Sequence, residues 1–182
     1  AWSAISVQRP IFDTGSEGAG NAIGTGGTVT VAHTVTTEGA SRALFVGVGI
    51  NASGTVSGVA VTYNGVALTL VTNSNVGVPN IRAFYLLNPA TGTNNIVVTY
   101  TITTGTIQTV VIGASFIYVN QTTPYDAVAT DTSSAVTTNT ISPTATDREN
   151  VLDFLIKIGL ETDAASVQLT GQTQINQKDQ AG

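Results

Sequence analysis

The sequence predicts an all-β protein, and within that class an antiparallel β-sandwich of the jelly-roll or immunoglobulin-like kind with about nine to ten strands. Apolar and polar residues alternate with a period of two through most of the chain, as they do in strands with one buried face. Turn signals, the strongest of them Asn64-Gly65, separate the alternating segments. No segment has a convincing amphipathic helical pattern. A sandwich is therefore favoured, and a closed barrel is the less favoured alternative.

The N-terminal part of the chain is predicted to lie outside the sandwich. Residues 1–8 read as a short strand, and residues 13–27 are rich in Gly, Ser and Asn, a composition typical of flexible spacers. We therefore divide the chain into an N-terminal strand with its linker, residues 1–27, and a β-sandwich domain, residues 28–182. The apolar members of the N-terminal strand are Trp2, Ala4, Ile5 and Val7.

The strands of the sandwich are predicted at regular intervals. His33 shares one side of its strand with three valines, while the strand that begins at Ala43 is apolar throughout, as in a strand buried on both faces. Gly113 interrupts a long β-branched segment and marks a bulge or a close approach of another group. The predicted strands are residues 28–36, 43–50, 56–63, 66–72, 81–87, 95–103, 107–119, 130–142, 150–160 and 167–175.

Composition excludes several classes of function. A chain of 182 residues suffices for one good-sized domain. Its 6 basic residues are scattered among 11 acidic ones, and the net charge of -5 disfavours nucleic acid as a partner. The absence of Cys excludes disulfides and thiolate metal sites, and a single His excludes a multi-histidine site. No run approaches the ~18 to 20 apolar residues that span a bilayer. We therefore predict no cofactor, no metal and no membrane insertion.

No enzyme motif is found in the sequence, and a non-enzymatic role is predicted. His33 is the only side chain whose ordinary pKa lies near neutrality, but it stands among valines and no nucleophile-elbow pattern is present. We interpret it as a hydrogen-bonded histidine of the core. Residues 15–27 lack the Gly-Lys-Ser/Thr ending of a phosphate loop.

Paired carboxylates are the other candidates for chemistry. Such pairs can hydrolyse glycosides, and loop carboxylates can bind calcium. All the pairs fall in turn-like segments, and none has the spacing of a known calcium loop, so we interpret them as solvated loop charges. They are Asp126 and Asp131, Asp147 and Glu149, and Glu161 and Asp163.

The aromatic residues allow two interpretations. Exposed tyrosines can stack on sugar rings, but Tyr85 and Tyr100 share strand faces with aliphatic residues, which favours core packing. The other tyrosines are Tyr63, Tyr118 and Tyr125. Trp2 stands on the short N-terminal strand, where it either anchors in the groove of a partner or folds back on its own domain.

Several segments occur in a familiar order, including Asn64-Gly65 between two strands, a Pro-Ala-Thr-Gly turn at 89–92 and Gln-Thr-Thr-Pro at 121–124. Over roughly residues 26–160 the chain resembles a β-sandwich module of secreted prokaryotic and phage-associated surface proteins. The motifs that carry this resemblance are structural. The resemblance implies a sandwich fold and implies no catalytic residue.

The resemblance also implies a further apolar strand near the C-terminus, where residues 172–182 are polar instead. A sandwich that lacks a strand exposes an unpaired edge. We expect residues 1–8 of another copy to fill it by strand addition, which, applied head to tail, builds a filament. The predicted function is a structural subunit of an extracellular filament or pilus-like appendage. The alternatives are a carbohydrate-binding or adhesive module of a larger secreted or phage tail protein, with glycans as partners, and a virion decoration protein.

An extracellular or cell-surface location is predicted from the same residues. The chain has no Met, and Ala1-Trp2-Ser3 resembles what remains when a secretory signal is removed at a small residue. Two Asn-X-Ser/Thr sequons place candidate glycosylation sites at Asn51 and Asn120, both in predicted turns.

Overall fold

The computed structural model describes residues 10–74, 80–103, 105–125, 128, 156–161 and 164–169. This part of the chain forms eleven strands and no helix. The strands are β1 (Ile11–Ile23), β2 (Gly26–Val35), β3 (Ala43–Ala52), β4 (Val56–Tyr63), β5 (Val66–Ala67), β6 (Thr69–Ser74), β7 (Asn80–Leu87), β8 (Gly92–Ile102), β9 (Thr106–Ile117), β10 (Ile156–Glu161) and β11 (Ala164–Leu169).

Nine of these strands form two antiparallel sheets, which confirms the predicted all-β, two-sheet architecture. Sheet A has the order β1-β9-β3-β7-β6, and sheet B has the order β2-β8-β4-β5. The inward side chains of both sheets form one continuous apolar core. Its largest fully buried members include Tyr63, Leu44, Ile50, Ile96, Ile102 and Ile107.

The predicted alternation on β2 is confirmed. Val29, Val31, His33 and Val35 are buried, and the residues between them are exposed or half-buried. Strand β3 is buried on both faces, as expected from its apolar sequence. Its inward residues belong to the main core, and its outward residues belong to a second cluster on the outer face of sheet A. The buried members of that cluster are Ala43, Phe45, Ala114, Phe116 and Val119.

The Asn64-Gly65 turn also forms as predicted. Asn64 has a φ of 49° and Gly65 a φ of 76°, as a two-residue hairpin turn of this type requires. The strand predicted after it, residues 66–72, is instead two strands that belong to different sheets. The chain crosses between the sheets at Leu68, whose N–H donates to the carbonyl of Val61 over 2.9 Å.

The prediction of a flexible linker over residues 13–27 is wrong, because most of this segment is strand β1 and β2 already begins at Gly26. The glycines serve packing. A Cβ on Gly18 would lie 2.5 Å from Cγ2 of Val31, and a Cβ on Gly20 would lie 2.6 Å from Cγ2 of Val29. At these two positions of β1, only glycine leaves room for the facing valines of β2. The sandwich therefore includes residues 11–27, which we assigned to the N-terminal strand and its linker.

Strands β10 and β11 form an antiparallel hairpin that pairs with neither sheet. They overlap in part with the predicted strands 150–160 and 167–175. The predicted strands 1–8 and 130–142 lie outside the described residues.

Candidate functional site

The two sides of the sandwich differ in how their edge strands are protected. On one side, the pairing of β4 with β8 shifts register between Ser57 and Ala60, and that of β6 with β7 shifts between Leu70 and Thr72. Bulges of this kind discourage the addition of further strands. The other side is formed by β1 and β2, which are longer. Strand β2 keeps one register with β8 over all ten residues, and β1 keeps one register with β9 over Gly15–Ile23.

Strand β1 pairs with β9 along one edge, and no described strand pairs with its other edge. Gly24, just beyond β1, donates its N–H to the carbonyl of Gly105 over 3.0 Å, in the same register as the β1–β9 pairing. In an antiparallel ladder, alternate residues turn their N–H and C=O groups toward the partner strand. The backbone groups of Glu17, Ala19 and Asn21 therefore point away from β9. In the part of the chain that the structure describes, no strand pairs with this side of β1.

The neighbouring edge of β2 is closed at one end by side chains of β1. The hydroxyl of Thr14 donates to the carbonyl of Thr34. The carboxylate of Asp13 accepts the N–H of Thr36 over 3.0 Å and its hydroxyl over 2.6 Å. These contacts occupy groups that an added strand would need. Strand β2 is thus closed at this end, whereas no such contact is found among the described residues along β1 from Gly15 to Ile23, and β1 is the candidate edge.

A partly buried polar network joins β1 to β9 of its own sheet and to β2 of the other sheet. Oγ of Ser16 lies 2.9 Å from Nδ1 of His33, and Oγ1 of Thr14 lies 3.5 Å from Nε2 of the same ring. Ser115 on β9 donates to Asp13 over 2.9 Å and lies 3.0 Å from the Thr14 hydroxyl. Both ring nitrogens of His33 therefore face hydroxyl groups of β1, Nδ1 that of Ser16 and Nε2 that of Thr14.

The surroundings of His33 and Asp13 lower the pKa of both groups. Burial lowers the pKa of His33 below 6.5, although the charge of Asp13 acts in the opposite direction. Partial burial alone would raise the pKa of Asp13, but hydrogen bonds from Thr36 and Ser115, with the charge of His33, lower it overall. The imidazole is thus neutral and the carboxylate ionised near neutral pH.

The chemistry open to this network is limited by access. Ser16 and His33 are placed as a hydroxyl and a general base are in hydrolases. However, His33 is 1% exposed, and its second nitrogen faces a hydroxyl instead of a carboxylate. The Ser16 hydroxyl points inward, 2.9 Å from where a Cβ of Gly113 would lie. The predicted core position of His33 is confirmed, and the geometry favours a structural role.

The other predicted site residues are only partly within the description. Trp2, Ala4, Ile5 and Val7 lie outside the described residues. Of the six paired carboxylates only Glu161 is described, as a strand residue of β10. Among the tyrosines, Tyr63 and Tyr100 are buried, as core packing requires, while Tyr85 and Tyr125 pack edge-to-face on the outer side of sheet A with ring centroids 5.6 Å apart.

The two candidate glycosylation sites have different settings. Asn51 was predicted in a turn, but it lies within β3, where its amide donates to Oε1 of Gln108 over 3.3 Å. Asn120 lies in the loop after β9 and is exposed. Its Oδ1 accepts the N–H groups of Thr122 and Thr123 over 2.8 and 3.0 Å. Glycosylation at either residue stays a prediction.

Sequence reasoning missed a row of carboxamides on the outer face of sheet A. The register aligns Asn21 of β1 with Gln108 of β9, and Gln108 with Asn51 of β3. Asn21 ends this row at the open edge. The three side chains line a groove of about 540 Å³ at one end of the sandwich. No local sequence pattern marks the row, because Asn21 and Asn51 are 30 positions apart along the chain and Asn51 and Gln108 are 57 positions apart.

The described residues contain no group of three or more His, Cys, Asp or Glu side chains that would hold a metal ion. Over the same residues there is no helix long and apolar enough to cross a membrane. Comparisons with protein-family models, with curated proteins and with solved structures found no match to this chain.

Proposed function

We propose that the protein is a non-enzymatic structural subunit that assembles head to tail with copies of itself by β-strand addition. The observation that carries this proposal is the open, straight edge of β1 between Gly15 and Ile23. Within that span Glu17 is the one charged residue, and there is no Lys and no Pro. Soluble proteins ordinarily protect such an edge with charges, prolines, bulges or a covering segment. An edge that is straight and, among the described residues, uncovered is a template for another strand.

The donor in this proposal is the N-terminal segment, Ala1 to Gln8, of a neighbouring copy. Its alternating apolar residues suit strand addition, in which backbone hydrogen bonds give affinity and side chains give specificity. Because β1 begins at Ile11, only Arg9 and Pro10 separate this donor from its own sandwich. The short connection implies closely spaced subunits. A contact that joins the front of one copy to the edge of the next repeats without closing and gives a filament.

The location and finer fold class follow the same proposal. The Thr- and Gly-rich chain without Cys, and its resemblance to modules of secreted prokaryotic and phage-associated surface proteins, support an extracellular filament or pilus-like appendage. We place the sandwich in the jelly-roll or immunoglobulin-like class as part of this proposal.

Ala19→Pro tests the proposal at the edge itself. The N–H of Ala19 points away from β9, so proline removes a donor that an added strand needs and leaves the β1–β9 ladder intact. The matched control, Ala19→Ser, keeps the N–H. We expect filaments of the wild-type and Ala19→Ser proteins by negative-stain microscopy, and monomers of Ala19→Pro with a melting temperature within about 4 °C of wild type.

Removal of residues 1–8 tests the donor and is expected to give monomers as well. Mixing this truncated protein with Ala19→Pro separates the two roles, since one keeps the acceptor edge and the other keeps the donor. We expect the mixture to form dimers and no filaments, because only one contact can form between the two variants. Unchanged filaments in either variant, or monomers of the wild-type protein at all concentrations, would contradict strand addition.

A second candidate function, carbohydrate binding, is favoured by the groove that Asn21, Asn51 and Gln108 line. Carboxamides donate to and accept from sugar hydroxyls, and three of them line this one groove. A glycan array tests it. Saturable binding that is lost in Asn51→Ala and kept in Ala19→Pro would support this function independently of assembly.

A further inference from the structure

We propose that the junction between β1 and β2 is an acid-sensitive latch, in which His33 holds β1 closed at neutral pH and releases it when the imidazole takes up a proton. Opening here means that β1 and β2 separate while each strand keeps its own ladder, β1 with β9 and β2 with β8. The inference goes beyond the proposed function, because it concerns a contact between two strands of one subunit.

Hydrogen bonds join the first half of β1 to β2. The side chains of Asp13 and Thr14 bond to β2 at the end of the junction. Ser16 reaches further in, where its Oγ lies 2.9 Å from Nδ1 of His33. Within the described part of the chain, the ring of His33 is therefore the innermost group of β2 to which a side chain of β1 is bonded.

The second half of β1 contributes little apolar side chain to the junction. Its inward residues are Gly18, Gly20 and Ala22, and Val29 and Val31 of β2 pack against the two glycines. Apolar burial stabilises in proportion to the area removed from water, and glycine adds no side-chain area to it. Separation of the two strands therefore sacrifices less packing than separation of strands with apolar side chains on both sides.

The other sides of the His33 ring are closed by the core. The ring of Tyr63, which is fully buried, packs edge-to-face on the imidazole with centroids 6.1 Å apart. A Cβ on Gly113 would lie 3.4 Å from Nδ1 of His33 and 2.5 Å from Cδ1 of Ile96, which is also fully buried. Water that reached the ring from these directions would have to divide the core. The junction with β1 is the less costly route.

Among the described residues, Asp13 and Tyr63 are the titratable groups that act on the ring. Asp13 on β1 is ionised near neutral pH, and its charge favours the protonated ring, but burial has the larger effect. Tyr63 on β4 stays neutral, because burial raises the pKa of its phenol above 10. Strands β8 and β9 present the neutral residues Asn94 and Gly113.

Opening of the junction is thus linked to protonation of His33. In the closed form burial lowers the pKa of the ring below 6.5, and in the open form the hydrated ring returns to its ordinary value. Below this pH the open form binds a proton that the closed form does not. The equilibrium constant for opening therefore rises by up to about tenfold for each pH unit of acidification.

The connection between the two strands provides a pivot. Gly24 has a φ of 126°, and nothing lies within 4 Å of where its Cβ would be. The N–H of Gly24 donates to the carbonyl of Gly105, and the carbonyl of Thr25 accepts the N–H of Ile102, both over 3.0 Å. The connection thus stays bonded to β8 and to the loop before β9 while the strands separate beyond it.

Single cysteines test the latch cleanly, because the protein has no other thiol. Val31→Cys places a thiol beneath Gly18, and the matched control Val61→Cys places one in the core on β4, which β8 separates from β2. The rate of reaction with dithiodipyridine is measured for the folded variant and for the same variant in urea at each pH. The ratio of the two rates is the protection factor of the thiol, and it cancels the titration of the thiol itself.

We expect the Val31→Cys thiol to be at least tenfold less protected than the Val61→Cys thiol at about pH 5.5, because local opening reaches only the first. Its protection factor should fall at least threefold between about pH 7.5 and pH 5.5, within the limit of about tenfold per unit below 6.5. In the double variant Val31→Cys/His33→Gln the protection factor should be the same at both pH values.

Equal protection of the two thiols at about pH 5.5 would show that the junction opens only by global unfolding, and it would contradict the latch. A pH dependence that persists in His33→Gln would assign the opening to another group and would contradict it as well. The protein has one His, so its imidazole signal can also be followed by NMR in the wild type. A measured pKa of 6.5 or above would overturn the proposal without any substitution.

Discussion

Oγ of Ser16 lies 2.9 Å from Nδ1 of His33, and this hydrogen bond joins the edge strands of the two sheets. The inward residues of β1 after Ser16 are Gly18, Gly20 and Ala22, so the side chains that bond β1 to β2 are those of its first half, Asp13, Thr14 and Ser16. The proposed assembly edge is therefore positioned by a polar contact within an apolar core. His33 is 1% exposed, so bulk solvent has little access to the ring if that partner is removed.

Ser16→Ala should lower the free energy of unfolding by about 1–3 kcal/mol, since it leaves Nδ1 of His33 buried without its hydrogen bond. Urea denaturation followed by fluorescence measures the change. Ser57→Ala on the exposed surface of β4 is the matched control and should change the free energy by less than about 0.5 kcal/mol. Equal effects of the two substitutions would show that the Ser16–His33 contact does not stabilise the fold.

Stability should fall as the pH drops below 6.5, and His33 should be the cause. Burial lowers the pKa of His33 in the folded state, so below 6.5 the unfolded chain binds a proton that the folded chain does not. The free energy of unfolding then rises with pH through this window, by at most about 1.4 kcal/mol per pH unit. The pKa of Asp13 is also lowered, and its contribution is lost only at lower pH, below 3.8.

His33→Gln separates these two groups. Glutamine does not titrate, so the variant should be less stable than wild type at about pH 7.5 and should show a flatter profile between about pH 7.5 and pH 5. Urea denaturation at several pH values gives both profiles. Parallel profiles in this window would assign the pH dependence to groups other than His33.

The contrast between β2 and β1 shows how far the sequence predicts this site. The alternation of β2 places His33 among valines, and that pattern was sufficient to predict a buried histidine. Its partner Ser16 was missed, because β1 puts glycines where an alternating strand would carry apolar side chains. The apolar side chains between the two strands are those of Val29 and Val31 on β2, so the sequence of β1 itself shows no apolar alternation. A period of two cannot be read from residues without side chains.

Register explains the other features that sequence reasoning missed. Asn21, Gln108 and Asn51 form a row only once three strands are aligned, and local patterns carry no information on that alignment. The change of sheet at Leu68 was missed for a similar reason: residues 66–72 alternate continuously, and only the tertiary pairing divides them.

The fit of β1 against β2 predicts that Gly18→Ala destabilises the protein. The added Cβ would lie 2.5 Å from Cγ2 of Val31, so β1 must move outward, at a cost of about 1–3 kcal/mol. Val31→Ala removes the obstructing methyl group and, combined with Gly18→Ala, should cost less than the sum of the two single changes. Chemical denaturation of the four proteins in this cycle measures the coupling. Strictly additive costs would mean that Gly18 and Val31 do not limit the approach of the two strands.

Gly113 should be equally intolerant of a side chain, because it lies where β9 meets both the core and the polar network. A Cβ there would come within 2.5 Å of Cδ1 of Ile96, 2.9 Å of the Ser16 hydroxyl and 3.4 Å of Nδ1 of His33. Gly113→Ala should therefore cost about 1–3 kcal/mol. Ile96→Val removes the nearest atom but leaves the contact with Ser16, so the double variant should recover only part of the loss.

A comparison of filament formation adds a readout that stability alone does not give. If Gly113→Ala displaces Ser16 and with it β1, assembly should weaken more than in a variant of equal stability whose defect lies far from β1. Leu68→Ala is such a control, since its side chain is buried at the crossover from β5 to β6, the edge strands opposite β2 and β1. Equal assembly at matched stability would show that the polar network does not position the acceptor edge.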